Sequence, residues 1–146
     1  MRAISASQVK ELREKTGLGL MDCKKALEGA NGDMELAIEE LRKTSGVKAS
    51  KKSGRSAADG LIAIESKAQD IFMIEVNCET DFVARDDSFV AFTKETLQTF
   101  TGNPESSLEE LLNNGIEDNR EKLVQKLGEN IVVRRVAKTE NSSTVG

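Results

Sequence analysis

The feature that most constrains this chain is a change of hydrophobic period near Gly60. Before it, apolar residues recur at three- and four-residue steps, the spacing of helices with one buried face. After it, Phe72, Ile74, Val76 and Cys78 alternate, which puts all four on one side of a strand. Two rhythms in separate stretches exclude an all-helical or all-sheet fold. The fold class predicted is α+β: a three-helix N-terminal unit, then a small antiparallel sheet covered by helices.

The first unit is expected over residues 1–45. Ser5-x-x-Gln8 has the form of a capping box, so a helix should run from about Ala6 to Thr16 with Val9 and Leu12 inward. Gly17 can end it in the left-handed conformation. A Gly17-Leu18-Gly19 turn leads to a second helix, in which Leu20, Cys23, Leu27 and Ala30 share a face. Asn31-Gly32 signals a turn and Asp33 an N-cap. The third helix presents Met34, Ala37, Ile38 and Leu41, with Lys43 in its last turn and Gly46 as its stop. A unit of this size buries little and is marginal alone.

Residues 46–56, GVKASKKSGRS, are basic and small. Lys48, Lys51, Lys52 and Arg55 suit either nucleic-acid contact or a solvated linker with at most one helical turn. No aromatic or second basic patch accompanies them, so the linker is preferred. The core is expected over residues 57–140. Leu61–Ile64 and Ile71–Cys78 should pair as a hairpin about a turn at Ala68-Gln69-Asp70. A helix over Ser88–Thr101 would set Phe89, Phe92, Leu97 and Phe100 on the sheet. Pro104 breaks the chain. Helical segments over Ser107–Asn113 and Asp118–Leu127 follow, the second stopped by Gly128. A β-branched strand runs from Ile131 to Ala137, and residues 141–146 are expected to be a disordered tail.

Composition narrows the function. The chain has 146 residues and no His, Trp or Tyr. Without imidazole there is no Ser-His, Cys-His or His-metal site, and any base would be Asp, Glu or Lys in a desolvated pocket. All five Phe lie beyond position 70, so platforms for stacking single-stranded nucleic acid are scarce. Residues 1–55 carry 12 basic and 8 acidic side chains, whereas residues 56–146 carry 9 and 17. The acidic part is a poor match for duplex phosphates. No apolar run approaches the ~20 residues that span a bilayer, and the N-terminus lacks a signal core. A cytoplasmic protein with no cofactor is therefore expected. Cys23 and Cys78, far apart and in apolar-patterned stretches, read as buried reduced thiols. Asp81, Asp86 and Asp87 are near neighbours, but one short run lacks the convergent ligands of a metal site, so no metal is expected.

The segment Asn77-Cys78-Glu79-Thr80-Asp81-Phe82-Val83-Ala84-Arg85 joins strand to helix, and Phe82 lies outside both periods. Taken alone, Phe82 could fold back on the core, with Asp81 starting the helix. Three stretches then resemble the bacterial translation elongation factor Ts family, in matching order. They are LREKTGLGLMDCKKAL with NGDMELAIEELRK, then EVNCETDFVARDDSF, then GENIVVRRVA. The first three helices are also similar to the ubiquitin-associated-type domain that opens that family.

That resemblance implies a nucleotide-exchange factor for the GTPase elongation factor Tu, in its GDP-bound and nucleotide-free states. Carried onto this chain, Asp81-Phe82, flanked by Thr80 and Val83, is the wedge that disturbs the GTPase's magnesium and phosphate sites. Arg13, Leu20, Met21 and Lys24 match the part that grips the GTPase domain. Leu127-Gly128 matches a stretch that touches the partner. The same resemblance implies no catalytic residue on this chain. Many members continue beyond the R-R-V-A strand into a second core half and a helical dimerisation hairpin. This chain stops about ten residues after that strand, so a homodimer is left open. It also lacks the helical insertion that some short dimeric members carry before G-E-N. The competing reading is a ubiquitin-associated-type binding module without exchange activity, which would have no use for an Asp-Phe wedge. An enzyme would need carboxylates or lysines gathered in a pocket.

Overall fold

The computed structural model describes residues 3–140. The expected tail at 141–146 lies outside them. Three helices open the chain, α1 (Ala6–Thr16), α2 (Leu20–Gly29) and α3 (Met34–Lys52). Strands β1 (Asp59–Lys67) and β2 (Asp70–Cys78) follow, then the one-turn helix α4 (Asp81–Ala84) and α5 (Asp87–Gly102). The chain closes with a short helix α6 (Leu108–Leu111), α7 (Glu117–Leu127) and β3 (Val132–Glu140). Between α6 and α7, Leu112–Ile116 forms a π-type turn kinked at Asn114 and Gly115, which leave helical geometry. The sheet is antiparallel in the order β1-β2-β3. The fold is α+β, as its two periods require.

Local chemistry explains the helix ends. Ser5 and Gln8 form the reciprocal capping box that opens α1, and Gly17 closes it at φ 71°. Asp33 caps α3 through the Leu36 N–H. Val9, Leu12, Leu18, Cys23, Leu27, Ala37 and Leu41 are buried together among the first three helices. Leu20 departs from the expected face: it is 54% exposed. Leu18, in the turn just before α2, fills that end of the core instead.

The second departure is α3. It runs on through Gly46 to Lys52, where a helix stop and a linker were expected. The cause is tertiary. Ser45 and Ala49, one turn apart, are buried, and Ala49 joins the core of the second unit. Gly46 faces α7 so closely that a Cβ there would lie 3.0 Å from Glu121 Oε2. Ser45 Oγ donates to Gln125 Oε1 across the same seam. Two of the four basic residues also find protein partners: Lys48 pairs with Asp22 at 3.8 Å and Arg55 with Glu79 at 3.5 Å. Packing has overridden weak local signals, because a helix end is set by where its buried face stops.

The second core lies between the sheet and α5, α6 and α7. Phe72, Ile74, Val76 and Cys78 are buried on one face of β2 and meet Phe89, Phe92, Leu97 and Phe100 of α5. The Phe72 and Phe100 rings meet edge to face, with centroids 5.4 Å apart. Gly60 lets β1 begin: at φ +145° it lies against Val76, whose carbonyl oxygen would stand 2.1 Å from an added Cβ. Between Glu75 and Val76 the register with β3 shifts, and Arg134 is the extra residue. Its Nε donates to Asn77 Oδ1 at 2.9 Å.

Candidate functional site

The strand β2 ends in a buried residue, Cys78, and the chain must turn sharply to enter α5. It does so through α4. Thr80 is the N-cap: its backbone is extended and its Oγ1 accepts from the Val83 N–H at 3.3 Å. Val83 packs against the core and Ala84 is buried. The other side of the turn faces solvent. Phe82 is 83% exposed, whereas the remaining four Phe are all buried. The alternative in which Phe82 folds back on the core is thereby excluded. Asp81 is exposed too, and pairs loosely with Arg85 at 3.9 Å. Asp86 caps α5, accepting from Ser88 N–H at 2.8 Å and Phe89 N–H at 3.3 Å.

The base of this turn is held by the segment before β3. Glu129 Oε1 accepts from the backbone N–H groups of Glu79 at 3.1 Å and Thr80 at 3.0 Å. Thr80 Oγ1 donates to Glu129 Oε2 at 2.7 Å. In return Glu79 Oε2 accepts from the Asn130 N–H at 3.3 Å. Asn130 Nδ2 donates to the carbonyls of Ser53 at 3.4 Å and Arg55 at 2.8 Å. The end of α3, the end of β2 and the start of β3 therefore meet in one polar knot. Beside it, burial pushes the Cys78 thiol up to about 11, with the Glu129 carboxylate adding to the rise. Burial likewise raises the Cys23 thiol. Both cysteines are free and buried.

The other sequence-singled residues lie on separate elements. Arg13 is exposed on α1 and Lys24 on α2. Leu20 and Met21 stand out from the start of α2, at 54% and 60% exposure. Leu127 packs partly into the second core at the end of α7. Gly128 caps that helix at φ 75°, its N–H donating to the Val124 carbonyl at 2.8 Å. Gly128 leads directly into Glu129, so the end of α7 and the clasp on Thr80 share a short piece of chain. Glu129 and Asn130 were not singled out in the sequence. Their place beside Gly128 in a motif already noticed was the available signal. Among the described residues, no group of three or more His, Cys, Asp or Glu is placed to hold a metal ion. Among them, too, no helix is long and apolar enough to cross a membrane.

Comparison with known proteins begins at this same turn. The family model described as Elongation factor TS matches residues 79–146. Elongation factor Ts of Marinobacter nauticus is 54% identical over 142 residues, covering 96% of this chain and 49% of that protein. Elongation factor Ts of Hahella chejuensis is 51% identical over 148 residues, covering 100% of this chain and 51% of that protein. The same factor of Salmonella agona is 51% identical over 140 residues, covering 96% and 49%. The chain spans about half the length of the curated relatives it matches. These likenesses set it in the class of translation elongation factors. It belongs to the elongation factor Ts family.

Proposed function

We propose that this chain is a guanine-nucleotide exchange factor that speeds GDP release from elongation factor Tu in translation elongation. The observation that carries the reading is Phe82, an exposed aromatic ring on a capped, core-anchored turn. It works in the cytoplasm, by binding and without covalent chemistry on its own residues.

GDP in a GTPase is held largely by phosphate and magnesium contacts. A wedge that shifts those ligands slightly weakens every charge-assisted bond together. Asp81-Phe82 supplies the wedge, with Thr80 and Val83 fixing its base. Burying one Phe ring stabilises a complex by about 2–3 kcal/mol. A thousandfold faster release needs a barrier lower by about 4 kcal/mol. One ring is therefore insufficient, and a grip by Leu20, Met21, Arg13 and Lys24 supplies the remainder, with Leu127-Gly128 adding contact. Arg13 and Lys24, exposed at the rim, act on encounter rate and salt dependence. Linkage is reciprocal: a factor that weakens GDP is itself expelled by incoming nucleotide.

The test is release of a fluorescent GDP analogue from bacterial elongation factor Tu. The chain should accelerate release, and Phe82→Ala should remove most of the acceleration while circular dichroism stays unchanged. No acceleration by the unaltered chain overturns the exchange reading. A fully active Phe82→Ala overturns the wedge.

A further inference from the structure

We infer that Glu129 is a positioning residue that presets the Asp81-Phe82 turn before any partner arrives, an inference that rests on the exchange reading above. A four-residue helix does not hold itself, because fixing the first turn costs more than its single hydrogen bond returns. Something outside α4 must fix it. Val83 and Ala84 anchor one side in the core. The other constraint is the Glu129 carboxylate, which takes two backbone N–H groups and one hydroxyl from consecutive residues Glu79 and Thr80.

The hydroxyl makes the constraint directional. Thr80 has one O–H proton, and it is committed to Glu129 Oε2 at 2.7 Å. The oxygen's lone pair is thereby turned toward the Val83 N–H, which it accepts at 3.3 Å to cap α4. Carboxylate, hydroxyl and cap form one chain of orientation ending at the turn that carries Phe82. Glu129 acts through this chain and through the two backbone N–H groups it holds.

Glu129→Gln separates this role from mere stability. An amide offers one acceptor oxygen where the carboxylate offers two. Either the two N–H groups or the Thr80 hydroxyl then loses its acceptor. The maximal GDP-release rate at saturating factor should fall about tenfold, equivalent to about 1.4 kcal/mol of barrier. The half-saturating concentration should change less, because the α2 surface is untouched. In a Phe82→Ala background the same substitution should add no further loss, since the two residues act in series. Amide hydrogen exchange should quicken at Glu79, Thr80 and Val83 and stay unchanged in α2. Thr80→Val breaks the same contact from the other side and serves if Glu129→Gln does not fold.

Equal protection of those three amides in Glu129→Gln overturns the inference, whatever the exchange rate. So does an equal fractional loss in the wild-type and Phe82→Ala backgrounds, which marks a general structural role. No acceleration by the unaltered chain overturns the exchange reading instead, a Phe82→Ala chain as active as wild type overturns the wedge, and in either case the amide measurement decides the Glu129 geometry by itself.

Discussion

Gln125 Nε2 donates to Asp22 Oδ2 at 3.1 Å, joining the last turn of α7 to the first turn of α2. The same amide accepts from the buried Ser45 hydroxyl of α3 through its oxygen. One side chain thus satisfies groups on two helices of the first unit, and its orientation is fixed by their opposite polarity. Asp22 is further held by Lys48.

Gln125→Ala leaves the buried Ser45 hydroxyl without its acceptor and removes one of the two contacts on Asp22. An unmet buried polar group costs about 1–3 kcal/mol. The urea midpoint should fall accordingly. Replacing Ser45 by Ala in the same chain should restore part of the loss, since the orphaned hydroxyl is then gone. No recovery in the double variant would place the cost elsewhere.

Gly46→Ala has two opposed effects. A helix-interior glycine is worse than alanine by about 1 kcal/mol. The added Cβ would meet Glu121 Oε2 at 3.0 Å, which is the movable tip of a long side chain rather than backbone. The propensity gain should win. The expected result is a melting temperature raised by about 2–3 °C for a chain of this size. A lower melting temperature would show that Glu121 cannot yield. Gly60→Ala is the opposite case, because its Cβ would strike the Val76 carbonyl.

Leu20 and Met21 carry much apolar surface into water, and little of it contributes to the core. Truncating both to Ala should move folding stability by no more than about 0.5 kcal/mol. If they grip the partner, the half-saturating factor concentration in GDP release should rise about tenfold or more, as for a buried interface anchor. The maximal rate should hardly change. A lower maximal rate with unchanged half-saturation would instead put them in the release step.

Cys78 gives the alkaline limb of stability. Its thiol is raised in the folded chain from 9.0 to about 11, chiefly by burial. Below pH 9 both folded and unfolded chains keep the proton, and the stability is fully present. As pH rises from about 9 to about 11 the unfolded thiol ionises first, so stability falls; above the folded value the loss is complete. Urea midpoints across that window should decline, and less steeply in Cys78→Val. Iodoacetamide at pH 8 should label both thiols only after unfolding, because the thiolate is the nucleophile and both are buried. Rapid labelling of the native chain would contradict the burial.

Much of the fold was legible because its signals are local. Ser5 with Gln8, Gly17 and Asp33 are side-chain and backbone devices that act within four residues. The alternation from Phe72 to Cys78 is a pattern that a half-buried strand imposes on its own sequence. The misses share the opposite property. The length of α3 depends on a contact of Ser45 with Gln125, 80 residues away. Leu20 has the right period for the core but loses its place to Leu18. Phe82 could be marked as unusual, while the turn that carries it is capped by Thr80, whose hydroxyl bonds a residue 49 positions on. Glu129 itself has no periodic or compositional signature, since a surface glutamate and a clasping one look alike in a sequence.

The 19-residue helix α3 places Leu41 in one core and Ala49 in the other. At 1.5 Å per residue it is a rod of roughly 28 Å that belongs to both. Fraying its last turns would strip a wall from the sheet side, and fraying its first turns would open the three-helix side. Neither half can melt while the other keeps its full set of contacts. Two cores that look separable by eye thus share one rod, and a single cooperative transition is the expected outcome on unfolding.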